Sequence, residues 1–465
     1  MLKNEMLKHI LLVESKRTYD KETTLETHYT YPHLGLLSIA ANMETHGHKI
    51  DYFNTNIYNK PISKLKEILK NQYDYVGISS ITETIDHQLK IAEIIKECSK
   101  NTKIIFGGVH AWLHPKEILG NKNVDFIIRG SGEVPFLKLV NNEKLGQIPG
   151  LCYKVGSKKI IKEPYIPTNR EFQEIRSILQ YSKYDEVYKE TRTFRNTRHL
   201  FTSFGCPFNC NFCSVPKLYN KKMLFRNIES VLEDVKKLSK MSRRIMFVDP
   251  DLNINKKHFI NLFTKIAEEK KNGNIDKKTV FVIQARLDCF DDEMLNIAKK
   301  ANLIALIGVE SLSQRIRDYD LNKGGKLAKM SREEVINKLE KIGKYLKTYL
   351  YFILATPETE KRDIIDNLRY IKKLKKGWYE INTYITPYPE TNYYHKYKNS
   401  KFIIWRDREM EFYTRKVPKY LMCKDKEVTK HIEKSTEKAT KKHKKNRRQS
   451  FSNLFLEELI KEFSL

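Results

Sequence analysis

The sequence predicts an α/β protein: a doubly wound parallel sheet first, a (βα)6 partial barrel after it, and a mostly helical basic tail. Three observations predict this. Near-continuous apolar runs of strand length alternate with amphipathic stretches over residues 9–140, and the alternation resumes near Leu200. From residue 395 onward the rhythm is lost and lysine-rich polar sequence takes over. The length of 465 residues itself sets a prior of about three structural units.

In the first series the strand segments are HILLV (9–13), KIDYF (49–53), YVGISS (75–80), KIIFGG (103–108) and VDFIIR (124–129). LGLLSIAANMETHG, PISKLKEILK, IDHQLKIAEIIKEC and HPKEILG lie between them with helical patterns, which implies a sheet covered on both faces. Residues 150–165 read as a hairpin around Gly156-Ser157, and 166–195 as a polar helical linker. The second series has LFTSF (200–204), RIMFVD (244–249), TVFVIQA (279–285), LIALIGV (303–309), YLYFILA (349–355) and EINTYIT (380–386) as strands. Helical patterns separate these too, with Asp291 and Ser331 where N-caps belong. Six such units fall short of the eight of a closed barrel. The expected boundaries are 1–145, 146–194, 195–395 and 396–465.

Composition excludes several classes. No apolar run approaches the ~20 residues that span a bilayer. MLKNEMLKHILLVES has no apolar core followed by a small-residue cleavage site, so export is not expected. Seven cysteines are an odd count for a disulfide framework, and three fall within eight residues, which suggests a metal site in the reducing cytoplasm. The formal net charge of +29 is uneven: +2 over residues 1–150, +19 over 151–400 and +8 over 401–465. Nucleic acid, an acidic protein, an anionic small molecule or a solvated lysine surface would all suit it. A solvated face, with a tail suited to an acidic substrate protein, is preferred, and nucleic acid is not favoured.

The strongest signal is Phe204-Gly-Cys206-Pro-Phe-Asn-Cys210-Asn-Phe-Cys213. Three thiolates at CxxxCxxC spacing, just past the first strand of the second series, can each ligate one iron of a [4Fe–4S] cluster and leave the fourth open to an external chelate. Structural zinc wants four closed ligands, and the sequence offers no second CxxC pair. Three buried packing cysteines are the remaining alternative. On a (βα)6 pattern, the motif resembles the radical S-adenosylmethionine superfamily over residues 195–395. The resemblance implies that the amino and carboxylate groups of S-adenosylmethionine chelate the open iron, and that reductive cleavage gives a 5′-deoxyadenosyl radical.

The same resemblance assigns secondary positions. Phe212 would touch the adenine, Asp249 the methionine ammonium, Arg286 the methionine carboxylate and Glu310 the ribose. Tyr351-Phe-Ile-Leu-Ala-Thr-Pro-Glu358 overlays the GxIxGxxE pattern, with Ile353 and Ala355 at cofactor positions and Tyr351 and Ala355 in place of glycines. For each charged residue taken singly, a surface ion pair at a strand end is the plainer alternative.

The first series places small and hydroxyl residues at strand carboxyl ends, where such sheets bind ligands: Ser79-Ser80-Ile-Thr82, Gly107-Gly108-Val-His110 and Arg129-Gly130-Ser-Gly-Glu133. None fits GxGxxG, and alone they would also serve as plain strand-to-helix turns. YPHLGLLSIAANMETHGHKIDYF, FGGVHAWLHPKEIL and VDFIIRGSGEVPF resemble the cobalamin-binding domain that precedes the radical module in one branch of the superfamily. Asn322-Lys323-Gly324 resembles the NKG segment of that branch, and Thr386-Pro-Tyr-Pro-Glu-Thr391 its TPYPGT segment with Glu390 for Gly. The resemblance implies cobalamin held by Ser79, Ser80, Thr82, Gly107, Gly108, His110, Gly130 and Glu133, base-off and without a lower His, because DxHxxG is absent. A degenerate domain that binds no cobalamin is the alternative. His28, His33, His46 and His48 are read as surface or hydrogen-bonded residues, and Cys98, Cys152, Cys289 and Cys423 as inert thiols.

These implications add up to an anaerobic cobalamin-dependent methyltransferase that acts on an unactivated carbon of a peptide, protein or small molecule. It would be served by a flavodoxin- or ferredoxin-type electron donor. Cyclisation, ring rearrangement or oxidation with the same cofactors is the nearest alternative, then RNA modification. A noncatalytic binding protein is the rival from another class.

Overall fold

Four consecutive residues with no exposed surface, Ile10 to Val13, run through the first strand, β1 (His9–Glu14). A strand buried on both faces shows an unbroken apolar run, which is why HILLV is readable as one. The computed structural model describes residues 7–14, 31–191, 196–374, 378–406, 417–445 and 451–463. β2 (Lys49–Asn54), β3 (Tyr75–Ser79), β4 (Lys103–Gly107) and β5 (Phe126–Ile128) join β1 in parallel. β6 (Leu151–Val155) and β7 (Lys158–Ile160) add the expected hairpin, antiparallel, at one edge. The order β2-β1-β3-β4-β5-β6-β7 is doubly wound.

The crossovers are α1 (Leu34–Thr45), α2 (Pro61–Ile68), α3 (Ile85–Cys98), α4 (Gly108–Leu113), α5 (Pro115–Ile118) and α6 (Glu133–Val140). Leu11, Val13 and Phe106 pack with Ile91 and Ile95 of α3 in one buried cluster. The linker forms α7 (Asn169–Gln173), closed by a Thr168–Glu171 capping box, and α8 (Tyr184–Glu190).

The chain divides into two compact units. One comprises Met1–Leu200 and Leu224–Ser242; the other comprises Phe201–Met223, Arg243–Asp407 and Lys416–Leu465. The segment expected as one strand over 200–204 is two, β8 (Arg198–Leu200) and β9 (Ser203–Phe204). Thr202 breaks it because its N–H and hydroxyl donate to the Asp249 carboxylate (3.0 and 2.7 Å) rather than to a strand. There follow α9 (Val215–Leu218), β10 (Leu224–Phe225), α10 (Ile228–Met241), β11 (Arg244–Phe247), α11 (Lys256–Lys271) and β12 (Val280–Ala285). Then come α12 (Asp292–Ala301), β13 (Leu303–Glu310), α13 (Gly325–Lys329), α14 (Arg332–Gly343), β14 (Lys347–Ala355), α15 (Lys361–Ile371) and β15 (Tyr379–Tyr384).

The second sheet has the order β15-β14-β13-β12-β11-β8. Its parallel register sets Arg244 against Val280, Phe281 against Leu303, Ile304 against Lys347 and Leu350 against Tyr379. All strand starts therefore lie along one edge and all strand ends along the other. Asp291 and Ser331 cap α12 and α14 as expected. The tail is helical, with α16 (Asn392–Tyr397), α17 (Lys426–Lys445) and α18 (Phe451–Glu462), but it also holds an antiparallel pair that no sequence pattern announced, β16 (Ile403–Arg406) and β17 (Val417–Leu421). Lys438 and Lys442 of α17 pair with Glu462 and Glu458 of α18 at 2.6 and 2.5 Å. Among the described residues no helix is long and apolar enough to cross a membrane.

One buried ion pair braces the first unit. Arg226 Nη2 lies 2.8 Å from Asp234, and the Ser177 hydroxyl donates to the same carboxylate. Both charged side chains are almost wholly buried, so removing one leaves the other uncompensated. Asp234→Ala is expected to lower the unfolding free energy by about 3–5 kcal/mol in urea titration. Glu67→Ala, at the exposed Lys64 pair, should leave the urea midpoint nearly unchanged.

Candidate functional site

The cysteine loop leaves β9 through Gly205, whose φ is +86° and whose Cβ, were there one, would sit 1.9 Å from the Lys222 carbonyl oxygen. No side chain fits there. Beyond it the loop is tied to the segment Asp320–Gly324. Asn211 donates its N–H to the Leu321 carbonyl (2.9 Å) and its side-chain amide to the Asp320 carbonyl (2.7 Å). Its own carbonyl accepts from Tyr393 N–H and its side-chain oxygen from Asn392, so α16 clamps the loop as well. The Cys210 thiol lies 3.6 Å from the Lys323 carbonyl, and Asn322 donates to the Asn209 carbonyl at 3.1 Å. Asn211 was not singled out in the sequence; its place between two cysteines was the available signal.

The expected charged residues divide into two groups. Asp249 is fully buried and accepts from Thr202 N–H, the Thr202 hydroxyl and the Ser203 hydroxyl (3.0, 2.7 and 2.6 Å), so its oxygens hold the β8–β9 junction. Arg286 donates to Asp288 (3.1 and 3.2 Å) and to the carbonyls of Lys323 and Gly324 (2.9 Å each), with its guanidinium 3.7 Å from the Phe208 ring centroid. Its donors are engaged within the protein. Glu310 sits past a bulge that re-aims the end of β13, at φ +63°, and pairs with Lys323 Nζ at 3.0 Å. A non-glycine residue in that region is held by its surroundings and marks sites of function.

Two residues to which no site role was assigned from sequence complete the cluster, Lys323 of the Asn322-Lys323-Gly324 segment and Asp251. Lys323 is 7% exposed, with Nζ also 5.8 Å from the Phe212 ring centroid. Asp251 lies 4.0 Å from Cys206 Sγ, and burial pushes its carboxyl up to about 6 against the pull of Lys323 and Arg286. The FVDPD segment offered both carboxylates, and only Asp249 attracted notice because it ends the strand pattern. Lys323, Arg286, Glu310 and Asp251 all act electrostatically on Cys210. Phe212 packs against Leu321, Ile353, Ile385 and Tyr393, and Ala355 is fully buried at the end of β14. Glu358 just beyond bonds Tyr397 and Lys424.

Burial pushes the Cys206 thiol up to about 12 and Cys213 to about 11, and raises Cys210 as well. Desolvated thiols of this kind need a cationic group to become thiolates. Around one zinc ion thiolates stand about 3.8 Å apart, given bonds of about 2.3 Å. Among the described residues no three His, Cys, Asp or Glu side chains converge to hold a single ion. A group of several metal atoms, held by thiols spread along a loop, fits the donor set.

In the first unit the expected cobalamin residues gather at the ends of β3, β4 and β5. The Ser80 hydroxyl donates to the Gly107 carbonyl (2.7 Å) and accepts from Ala111 N–H (3.0 Å), stapling two loops. Gly108, at φ +86°, lies so close to Ser80 that a Cβ would meet its backbone at 2.6 Å. Ser79 bonds His33 Nε2 at 2.9 Å, and His33 caps α1 by accepting from Leu36 N–H. Thr82 bonds His110 Nδ1 at 3.1 Å. His110 has no exposed surface, and its ring lies 4.8 Å from that of His114 at a tilt of 40°. Gly130 bridges to Tyr165, and Glu133 accepts from Ser38 at 2.8 Å with its carboxyl raised by burial. Polar loops with a close backbone approach at Gly108 fit a ligand lying on the sheet end.

The remaining expectations are placed as follows. His46 bonds the Asn42 carbonyl, His48 accepts from Lys8 N–H, and His28 lies outside the described residues. Cys152 and Cys423 are buried, Cys98 is exposed, and Cys289 is half-buried beside Arg286 with its thiol pushed up to about 11 by burial.

Comparison with known proteins draws these sites together. The family model of the B12 binding domain matches residues 23–140, and that of the Radical SAM superfamily matches residues 200–379. The chain carries a B12 binding domain followed by a radical SAM domain. It is 27% identical over 376 residues to an uncharacterised methyltransferase of Pyrococcus horikoshii, covering 78% of this chain and 77% of that one. To the bacteriochlorophyllide d C-8(2)-methyltransferase of Chlorobaculum tepidum it is 24% identical over 351 residues, 72% of this chain and 71% of that one. The structure of the cobalamin-dependent S-adenosylmethionine radical enzyme OxsB shares its fold, with a TM-score of 0.73, 16% identity, and coverage of 98% of this chain and 72% of OxsB.

Two outcomes follow for this radical SAM protein. Asn211→Ala releases the two side-chain bonds of the cysteine loop, to the Asp320 carbonyl and from Asn392; it should lower iron per chain after anaerobic reconstitution at least about twofold, with circular dichroism unchanged. His258, bonded to Thr202, is pushed down to about 4 by burial, whereas an unfolded His titrates near 6.5. The native state then holds it neutral and the unfolded state binds the proton, so stability falls as pH drops from about 6.5 to about 4, by about 3 kcal/mol. Urea titrations at several pH values check this, and His258→Gln should flatten that part of the profile.

Proposed function

We propose that the chain is a cobalamin-dependent radical methyltransferase that adds a methyl group to an unactivated carbon of a peptide, protein or small molecule. The observation that carries the proposal is the set of buried Lys323 and Glu310 and half-buried Asp251 beside the thiol loop, in a chain that also has a B12-binding domain. When bound, the cluster with S-adenosylmethionine supplies a radical able to remove hydrogen from carbon, and cobalamin supplies the methyl group. Such a carbon has no lone pair for polar methylation, so the protein's part is positioning and exclusion of water.

Cys206, Cys210 and Cys213 would hold the cluster. A zwitterion beside it needs one anion and one cation, and Asp249 and Arg286 already have their partners inside the protein. We assign the methionine ammonium to Asp251 and the carboxylate to Lys323, with Arg286 and Asp249 as positioning residues. Glu310 would hold the ribose while keeping Lys323 charged in a dry pocket. Phe212, Ile353 and Ala355 would wall the adenine. In the first unit Ser79, Ser80, Thr82, Gly107, Gly108 and Glu133 would frame cobalamin, base-off, with no histidine offered from below. A flavodoxin- or ferredoxin-type protein would deliver the electron.

Asp251→Asn and Lys323→Met are each expected to weaken S-adenosylmethionine binding at least about tenfold with iron content unchanged, since a charge-assisted hydrogen bond is lost. Asp249→Asn should lower stability instead. For the reaction, reconstituted protein with cobalamin and reductant should form both 5′-deoxyadenosine and S-adenosylhomocysteine, and its product should carry one CH₂ more than its substrate. Deoxyadenosine without S-adenosylhomocysteine, whatever the substrate, contradicts methyl transfer and favours cyclisation or oxidation.

A further inference from the structure

The excess positive charge of the middle of the chain is not scattered. The parallel register that aligns β11 to β15 brings the segments preceding β12, β13 and β14 to one edge of the second sheet. Each brings lysines: Lys277 and Lys278, Lys299 and Lys300, and Lys344 and Lys347, all exposed. Strands stand about 4.8 Å apart, so the three pairs form a short cationic row. Lys299 and Lys300 end α12, where cations favour the helix dipole, but Lys277, Lys278 and Lys347 lie beyond helix ends and gain nothing from one. Among the described residues none of the six has a carboxylate within ion-pair distance; Asp276 at this edge lies 3.9 Å from Arg243. Lys270 differs from them, being buried with its ammonium donating to the Thr279 and Ala301 carbonyls.

We propose that this edge docks the protein on an anionic lipid surface. The cysteines, Glu310 and Asp251 lie at the opposite, carboxyl end of the strands, so the row anchors the protein rather than binding its substrate. A protein partner needs an apolar anchor. The exposed aromatic side chains of the second unit, Tyr319 and Tyr388, follow β13 and β15 at the other end, and before β11 there is a single exposed methionine, Met241, rather than an aromatic anchor. Nucleic acid is gripped by arginine forks and stacked aromatics, and at this edge six lysines stand against one exposed arginine, Arg243. A bilayer carrying anionic headgroups asks only for diffuse positive charge, and half-buried Trp378 under Lys347 (5.9 Å) suits the headgroup layer.

The test is co-sedimentation of the full-length protein with vesicles of phosphatidylcholine alone or with one-third phosphatidylglycerol. Binding is expected only with phosphatidylglycerol, and it should be lost between about 50 and about 500 mM salt. Replacing Lys277, Lys278, Lys299 and Lys300 together by Gln should weaken binding about a hundredfold with circular dichroism unchanged, and Lys344→Gln with Lys347→Gln at least about tenfold. Equal binding to neutral vesicles, or unaltered binding by both variants, overturns the proposal. So does lysine-dependent binding of double-stranded RNA without vesicle binding, and so does loss of vesicle binding only on Lys426→Gln with Lys430→Gln in α17.

Discussion

The candidate site of the second unit depends on one strip of backbone. Between Asp320 and Gly324 four carbonyl oxygens accept hydrogen bonds from groups far away in sequence: Asn211 at two of them, and Arg286 at the other two. The same strip turns the Lys323 side chain toward Glu310. A loop without regular structure cannot fix three thiols by itself, because its backbone lacks internal partners. The strip supplies them. Arg286, neutralised by Asp288 and stacked on Phe208, ties the strip to the end of β12.

This arrangement explains how buried charges coexist there. Asp251, Glu310, Lys323 and Arg286 are two anions and two cations within reach of Cys210. Isolated, each would resist burial strongly. Here opposite charges face one another, and burial pushes the carboxyl of Asp251 up to about 6 against the pull of Lys323 and Arg286. An ammonium group from a ligand is the natural complement to that carboxyl.

Much of this was legible in the sequence, and the exceptions have physical causes. Ten of the eleven expected strands in the two series appear as single strands, most plainly where burial on both faces leaves an unbroken apolar run, as in β1 and β4. The exception, LFTSF, failed because Thr202 spends its donors on Asp249, a pairing across 47 positions that no local pattern encodes. The pair β16 and β17 was missed because its short apolar runs, IIW and VPKYL, stand outside the alternating strand-and-helix rhythm and pair across an intervening charged segment. The cysteines were evident from spacing alone. Asp249 was chosen over Asp251 two positions later because sequence reveals which carboxylate ends a strand, not which is already hydrogen-bonded. Arg286 was expected as a ligand on its position, but its donors are engaged with Asp288 and backbone carbonyls. In the first unit the hydroxyl and glycine loops fall at the strand ends where sequence put them, while His110 is buried and bonds Thr82.

The central claim is that three cysteines, held by the Asp320–Gly324 strip, leave one metal position open to a chelating zwitterion. Electron paramagnetic resonance of the reduced, anaerobically reconstituted protein tests it most directly. The account predicts a cluster signal whose g values shift when S-adenosylmethionine is added. A signal that S-adenosylmethionine leaves unchanged at saturating concentration would contradict it.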